Sequence, residues 1–189
     1  MKTIHIFIIF IAVALLQLLV PAKMIYDKES VLITGTVYKF KTQPIDPNDP
    51  FRGKYVTLGY ELSTAKSLDS TIQNRDRVFI YLENDSLGFA KVKSVSKTDL
   101  KMGTDFIEVE VDYYNINANR VHFNLPFDRY YMEESKAKPA EDIYRKFSRR
   151  NDTINQTYAL VAVKNGDAVL KDVYINDKSI HYYIEKEEK

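Results

Sequence analysis

The chain has no cysteine and no tryptophan among its 189 residues, and only six glycines. The absence of cysteine excludes disulfide bonds, thiolate metal ligands and cysteine nucleophiles. A chain without cysteine is compatible with an oxidising or a reducing compartment, so this absence does not locate the protein. The six glycines are scattered, and none of them forms a glycine-rich loop that could hold a phosphate.

Neither sign of charge predominates, since 27 lysines and arginines face 26 acidic residues. This balance lacks the basic surface that nucleic-acid binding requires, so no nucleic-acid partner is expected. The three histidines, His5, His122 and His181, have no partners at metal-ligand spacing, so neither a metal site nor a cofactor is expected. Residues 46–49 offer oxygen ligands for Ca²⁺ but lack the glycine and the bidentate glutamate of an EF-hand.

One long hydrophobic run covers residues 4–20 and is interrupted only by His5 and Gln17. As a helix these residues span about 26 Å, close to the thickness of a hydrocarbon core. The run predicts either an uncleaved signal-anchor or a signal peptide that is cleaved after Ala22. We favour the anchor, because the run exceeds an ordinary signal-peptide core. Residues 1–23 are therefore predicted to form a transmembrane signal-anchor, and residues 24–189 a single domain.

Most of the domain alternates apolar and polar residues with the period of β-strands. Strands are predicted over residues 30–40, 54–62, 77–83, 88–95, 106–114, 120–125, 156–163, 168–175 and 180–184. Residues 63–75 are predicted to form a loop or a short helix, and Asn165-Gly166 predicts a type I′ hairpin turn. The expected fold class is mainly β (α+β), with one antiparallel β-rich domain and one packed helix after the N-terminal transmembrane helix.

The predicted soluble helix begins near Lys138-Pro139, since proline suits the first turn of a helix. Its apolar stripe is formed by Ala140, Ile143, Tyr144 and Phe147. Basic residues at its end fit the helix dipole, and contact with anionic lipid head groups is the alternative; these are Arg145, Lys146, Arg149 and Arg150.

A proline-rich acidic loop precedes the second predicted strand. Its three prolines, Pro44, Pro47 and Pro50, restrict the backbone and predict a rigid segment. Asp46 and Asp49 lie close in sequence to Arg52, so an Asp-Arg latch is expected, with Gly53 forming the turn into the strand. Both faces of the following strand carry large residues, which predicts a central position in the sheet.

The run after this loop resembles the signature of the GDYXXLXY family of membrane-anchored bacterial proteins, a family without an established activity. The matching residues are Gly53-Lys54-Tyr55-Val56-Thr57-Leu58-Gly59-Tyr60, with Lys54 in place of the aspartate of the family. Residues 45–52, Arg129-Tyr130-Tyr131 with Glu133, and the hairpin at Gly166 are similar to other family segments. The resemblance implies a single-pass membrane protein of the cell envelope with an extracytoplasmic domain, and a multi-spanning membrane protein as partner.

A binding surface or structural latch is expected at Asp46, Asp49, Arg52, Gly53, Tyr55, Leu58, Tyr60, Arg129 and Tyr130. Tyrosines could line a groove there for a peptide or a glycan, or could simply be residues that β-sheets favour; they are Tyr55, Tyr60, Tyr113, Tyr114, Tyr130 and Tyr131. We therefore predict a non-enzymatic interaction module for a membrane-protein partner. The enzymatic alternative is a membrane-tethered Ser/Lys hydrolase that uses Ser63 or Ser67 with Lys54 or Lys66.

Overall fold

The computed structural model describes residues 3–43, 55–67, 69–148 and 156–187. Its first element is a long helix, α1 (Thr3–Thr34). This helix is long and apolar enough to cross a membrane, and the rest of the protein buries none of its most apolar stretch. The predicted N-terminal helix is thus present, and it continues well past the predicted apolar run.

The last turns of α1 pack against the β-rich part of the chain. Val31 is buried, and Lys28 forms an ion pair with Asp167 at 2.6 Å. The Nζ atom of Lys164 donates a hydrogen bond to the hydroxyl of Thr34 at 2.6 Å. These contacts join the apolar helix directly to the domain.

Gly35 marks the end of α1. Its N–H donates to the carbonyl of Val31 at 2.8 Å, and a Cβ at Gly35 would lie 2.5 Å from that same oxygen and 3.0 Å from the carbonyl oxygen of Val163. A side chain would therefore collide with the backbone on two sides. The strand predicted over residues 30–40 is wrong as far as Thr34, because these residues continue α1, in which Val31 is buried.

The remaining elements follow in chain order. The strands are β1 (Thr36–Gln43), β2 (Tyr55–Thr57), β3 (Gly59–Tyr60), β4 (Thr64–Lys66), β5 (Arg77–Asn84), β6 (Ala90–Ser96), β7 (Phe106–Asn115), β8 (Arg120–Phe123), β9 (Arg129–Tyr131), β10 (Thr157–Lys164), β11 (Asp167–Ile175) and β12 (Lys178–Ser179). The helices are α2 (Glu134–Phe147) and α3 (Ile180–Glu187). All strand pairs are antiparallel, so the predicted mainly β fold class is confirmed.

The first sheet has the strand order β12-β11-β10-β1-β3. Its central strand, β10, is buried over most of its length. The predicted hairpin between β10 and β11 is confirmed, because both Asn165 (φ 51°) and Gly166 (φ 90°) have the positive φ that a type I′ turn requires.

The second sheet has the order β4-β8-β7-β5-β6, and the strands predicted over residues 77–83 and 88–95 form its β5–β6 hairpin. The segment predicted as a loop or short helix includes β4, which pairing with β8 stabilises. The acidic side chains of β7 are exposed. A register shift in β7 between Val111 and Tyr113 reverses the alternation of buried and exposed side chains. As a result Tyr113 is exposed and Tyr114 is buried.

Two helices pack beside the sheets instead of the single one predicted. Helix α2 begins one turn before the predicted start and buries the predicted stripe residues Ala140, Ile143 and Tyr144. Helix α3 replaces the strand predicted over residues 180–184. A spacing of four residues suits both a strand and a helix face, so the burial of Ile180 and Ile184 could not distinguish them.

The basic end of α2 is only partly within the described residues. The guanidinium of Arg145 forms an ion pair with Glu141 at 3.0 Å, one turn earlier in the same helix. Arg149 and Arg150 lie outside the described residues.

Candidate functional site

The segment from Tyr55 to Tyr60 joins three parts of the fold. Strand β2 pairs with β9, and β3 pairs with the end of β1. Between them the N–H of Leu58 donates to the carbonyl of Asp128 at 2.8 Å. The single central strand predicted over residues 54–62 is therefore wrong, because the chain changes partners at Leu58. That side chain is nevertheless fully buried, with 1% of its surface exposed.

Tyr60 lies in an aromatic cluster at the centre of the core. Its ring contacts Phe40 at 6.1 Å and Phe127 at 5.2 Å between ring centroids, both edge to face. The Tyr60 hydroxyl donates to the backbone carbonyl of Phe127 at 2.8 Å. Burial raises the pKa of Tyr60 far above its ordinary value. This tyrosine is a structural residue that fixes the segment before β9.

Replacing Tyr60 by phenylalanine should lower the free energy of unfolding by about 1–3 kcal/mol, because the Phe127 carbonyl would lose a buried donor. Urea unfolding of the full chain in detergent, followed by circular dichroism, measures the change. The matched control is Tyr113→Phe, since the exposed Tyr113 should change stability by less than about 0.5 kcal/mol. Equal effects of the two substitutions would contradict a structural role for the Tyr60 hydroxyl.

An exposed cluster lies on the β2–β9 ribbon. The guanidinium carbon of Arg129 is 5.2 Å from the ring centroid of Tyr55, and the rings of Tyr55 and Tyr131 are 5.4 Å apart. Tyr131 is 64% exposed. A guanidinium that stacks on an aromatic face is only moderately hydrated and can still form an ion pair with a carboxylate.

Tyr130 attaches the opposite side of β9 to the first sheet and to α3. Its hydroxyl donates to the carboxylate of Asp172 at 3.0 Å and lies 2.9 Å from the Nε2 atom of His181. Burial, with the nearby Asp172 carboxylate, raises the pKa of Tyr130. With its hydroxyl proton committed to Asp172, the phenol is a positioning contact that holds β9 in place.

A groove of about 870 Å³ lies between β7, β9 and β11. Its polar and charged lining residues are Lys28, Arg77, Glu108, Glu110, Arg129, Tyr130, Tyr131, Asn165, Asp167 and Lys171, and its other lining residues are Val109, Pro126, Phe127, Gly166, Ala168, Val169 and Leu170. The exposed cluster on β9 forms one side of this groove, and the start of β11 forms another. This space is called the groove.

The charges of the groove are unevenly compensated. Lys28 is paired with Asp167, whereas Arg77 lies opposite Glu110 in the β5–β7 ladder without an ion pair between their side chains. Among the described residues Arg129 has a long ion pair with Asp128 at 4.0 Å. Among the described residues Lys171 has no ion-pair partner. The walls formed by β9 and β11 therefore each carry a weakly compensated cation.

The predicted site residues lie partly outside and partly within the described residues. Asp46, Asp49, Arg52 and Gly53 lie outside the described residues, so the proposed latch stays a prediction. Arg129 and Tyr130 line the groove, whereas Leu58 and Tyr60 are core residues.

The six tyrosines considered for a groove are dispersed. Tyr60, Tyr114 and Tyr130 are buried, and Tyr113 packs against His122 on the second sheet. Only Tyr130 and Tyr131 of these six line the groove. Burial in separate parts of the core agrees with the alternative that β-sheets favour tyrosine.

Sequence reasoning missed Lys28, Asp167 and Lys171. The first two are separated by 139 positions, and no local pattern signals such a contact. Lys171 carried no signal either, because one lysine in a strand is ordinary.

Of the serines considered for catalysis, Ser67 is buried and holds a turn. Ser67 is 2% exposed, and its hydroxyl accepts a hydrogen bond from the N–H of Asp69 at 3.1 Å. Lys54 and residues 46–49 lie outside the described residues. Within the described part of the chain, no group of three or more histidine or acidic residues is placed to hold a metal ion.

These features define a class of protein: an antiparallel β-rich domain that packs against the end of a long N-terminal apolar helix. The family model described as GDYXXLXY protein matches residues 17–173, so the chain belongs to the GDYXXLXY family. No curated protein and no solved structure matches the chain. The family signature coincides with the segment that joins β1, β2 and β9, and in this chain its Leu58 and Tyr60 are core residues.

Proposed function

We propose that the protein is a bacterial cell-envelope protein that is anchored by one membrane-spanning helix and binds a membrane-protein partner outside the cytoplasm. In this proposal it is an interaction module and not an enzyme. The single observation that carries the proposal is the contact between α1 and the first sheet. That contact fixes the groove relative to the apolar helix.

Lys28 supports this arrangement because it belongs to α1 and also lines the groove. It follows the end of the apolar run at Val20 by eight residues, a distance of about 12 Å along a helix. The groove would then face the zone just outside the bilayer. Segments that another membrane protein exposes at its surface would be within reach.

The lining of the groove suits a polypeptide better than a small apolar ligand. Protein interfaces are enriched in tyrosine and arginine and combine apolar with charged contacts. The groove offers Tyr131 and Arg129 on one side, and Val169 and Leu170 on another. The exposed ring of Tyr131 can serve as an anchor residue.

The proposal is tested by a photo-crosslinking amino acid introduced at Tyr131 in the full chain, in native membranes. The matched control is the same amino acid at Leu87, which is 69% exposed and does not line the groove. Tyr131 should give adducts with a membrane protein, at segments of that protein outside the cytoplasm, and Leu87 should not. Equal adducts at both positions, or none at Tyr131, would contradict the proposal.

A further inference from the structure

The two five-stranded sheets share one hydrophobic core, and beside the groove they meet at Gly166. The N–H of Glu108 on β7 donates to the carbonyl of Gly166 at 3.2 Å, and Ile107 and Gly166 form an isolated parallel bridge. After this bridge both β7 and β11 line the groove. The groove therefore lies where two strands that meet at one end move apart.

Both strands have a free edge at the groove within the described part of the chain. Strand β11 pairs with β10 along its length, but β12 covers it only at Tyr174 and Ile175. Strand β7 pairs with β5 over Phe106 to Glu110, and β8 covers its other side only from Val111. Residues 168–172 of β11 and 108–110 of β7 each have one neighbouring strand.

The backbone groups of these edges point towards the groove. In a two-residue hairpin the residues that flank the turn, here Lys164 and Asp167, form a hydrogen-bonded pair. The backbone N–H and C=O groups of successive residues point to alternate sides of a strand. Ala168 and Leu170 therefore direct these groups away from β10. On β7 the N–H of Glu108 points away from β5, and so must that of Glu110. Free edges of this kind pair readily with an extended chain.

We propose that the groove binds an extended segment of the membrane-protein partner, which adds as a β-strand between β7 and β11 and joins the two sheets. This inference rests on the proposed function. The outward backbone groups of Glu110, Ala168 and Leu170 would hydrogen-bond the main chain of the segment. Strand addition of this type obtains affinity from the main chain and specificity from the side chains beside it.

The side chains beside the groove favour a segment that carries a carboxylate. Arg129 on β9 and Lys171 on β11 are weakly compensated cations on opposite walls of the groove. The side chain of Glu108 lies over Gly166, since its Oε1 atom would be 3.1 Å from a Cβ at that position. An acidic residue of the segment between the two walls would form charge-assisted contacts with Arg129 and Lys171.

The test compares Ala168→Pro with Ala168→Ser in the full chain that carries the crosslinker at Tyr131. Proline removes the outward N–H of residue 168 and no bond to β10, whereas serine keeps that N–H. The proline variant should lower the yield of the partner adduct about tenfold, as expected for a lost hydrogen bond and a steric block. The serine variant should retain the yield. Lys171→Glu should lower the yield more than Lys171→Gln.

Hydrogen exchange of the unmodified chain gives a second measurement that does not depend on the folding of the proline variant. The amides of Glu110, Ala168 and Leu170 should exchange more slowly in native membranes than in the purified protein in detergent. An unchanged adduct yield with Ala168→Pro, without such protection, would overturn strand addition and leave the proposed function standing. If the chain that carries the crosslinker at Tyr131, without a substitution at Ala168, gives no adduct with a membrane protein, the proposed function itself is overturned. Adducts only with lipid or with a second copy of this chain would overturn the assignment of the occupant.

Discussion

Replacing Phe40 by alanine is expected to lower the free energy of unfolding by about 3–5 kcal/mol. Phe40 is fully buried and lies between Tyr60 and Phe127, with ring centroids at 6.1 and 5.1 Å. Alanine would leave a cavity where β1 meets the segment from Tyr55 to Tyr60 and the residues that precede β9. The substitution should therefore destabilise both the first sheet and one wall of the groove.

Urea unfolding of the full chain in detergent measures this change, with Leu87→Ala as the control. Leu87 is a large apolar residue on an exposed turn, so its truncation should change stability by less than about 0.5 kcal/mol. A Phe40→Ala protein as stable as the Leu87→Ala protein would show that the aromatic cluster does not organise the core.

Raising the pH above about 10 is expected to unfold the domain, because several buried tyrosines must remain protonated in the folded state. Burial, with Asp105 as hydrogen-bond acceptor, raises the pKa of Tyr38 to about 12, and burial raises the pKa of Tyr144 to about 12. Burial also raises the pKa values of Tyr60, Tyr130 and Tyr158.

The direction of the pH effect follows from these shifts. The folded-state pKa values lie above the unfolded value of about 10, so the stabilisation is complete below pH 10 and is lost as the pH rises towards the folded values. Tyrosinate absorbance should then appear together with the loss of the circular dichroism signal, in one steep transition. Tyr60→Phe should make that transition less steep, since one coupled ionisation is removed. Gradual ionisation with unchanged circular dichroism would contradict the linkage.

Much of the secondary structure was predictable because its signals are local. The alternation in β5, β7 and β10 and the Asn165-Gly166 turn each lie within about ten consecutive residues. The apolar stripe of α2 was predictable from the spacing of its residues for the same reason. The helix α3 was not, because its buried residues Ile180 and Ile184 are four positions apart, a spacing that fits a period of two as well as one of 3.6.

The candidate site was less predictable. The expectation for Arg129 and Tyr130, which came with the resemblance to the GDYXXLXY family, named two residues that line the groove. The sequence could not separate core roles from surface roles within one motif, since Tyr60 and Tyr131 differ only in what surrounds them. It also gave no indication that Tyr130 would meet Asp172 and His181.

The sequence by itself determined the apolar N-terminal helix, the antiparallel β-rich class and the family, since all three depend on composition, period and a contiguous motif. Only the tertiary structure decided that α1 continues to Thr34 and packs on the first sheet. It also decided that β7 and β11 touch at Gly166 and then separate to form the groove. The physical reason is that these features arise from packing between residues more than fifty positions apart, and such contacts leave no periodic signal in the chain.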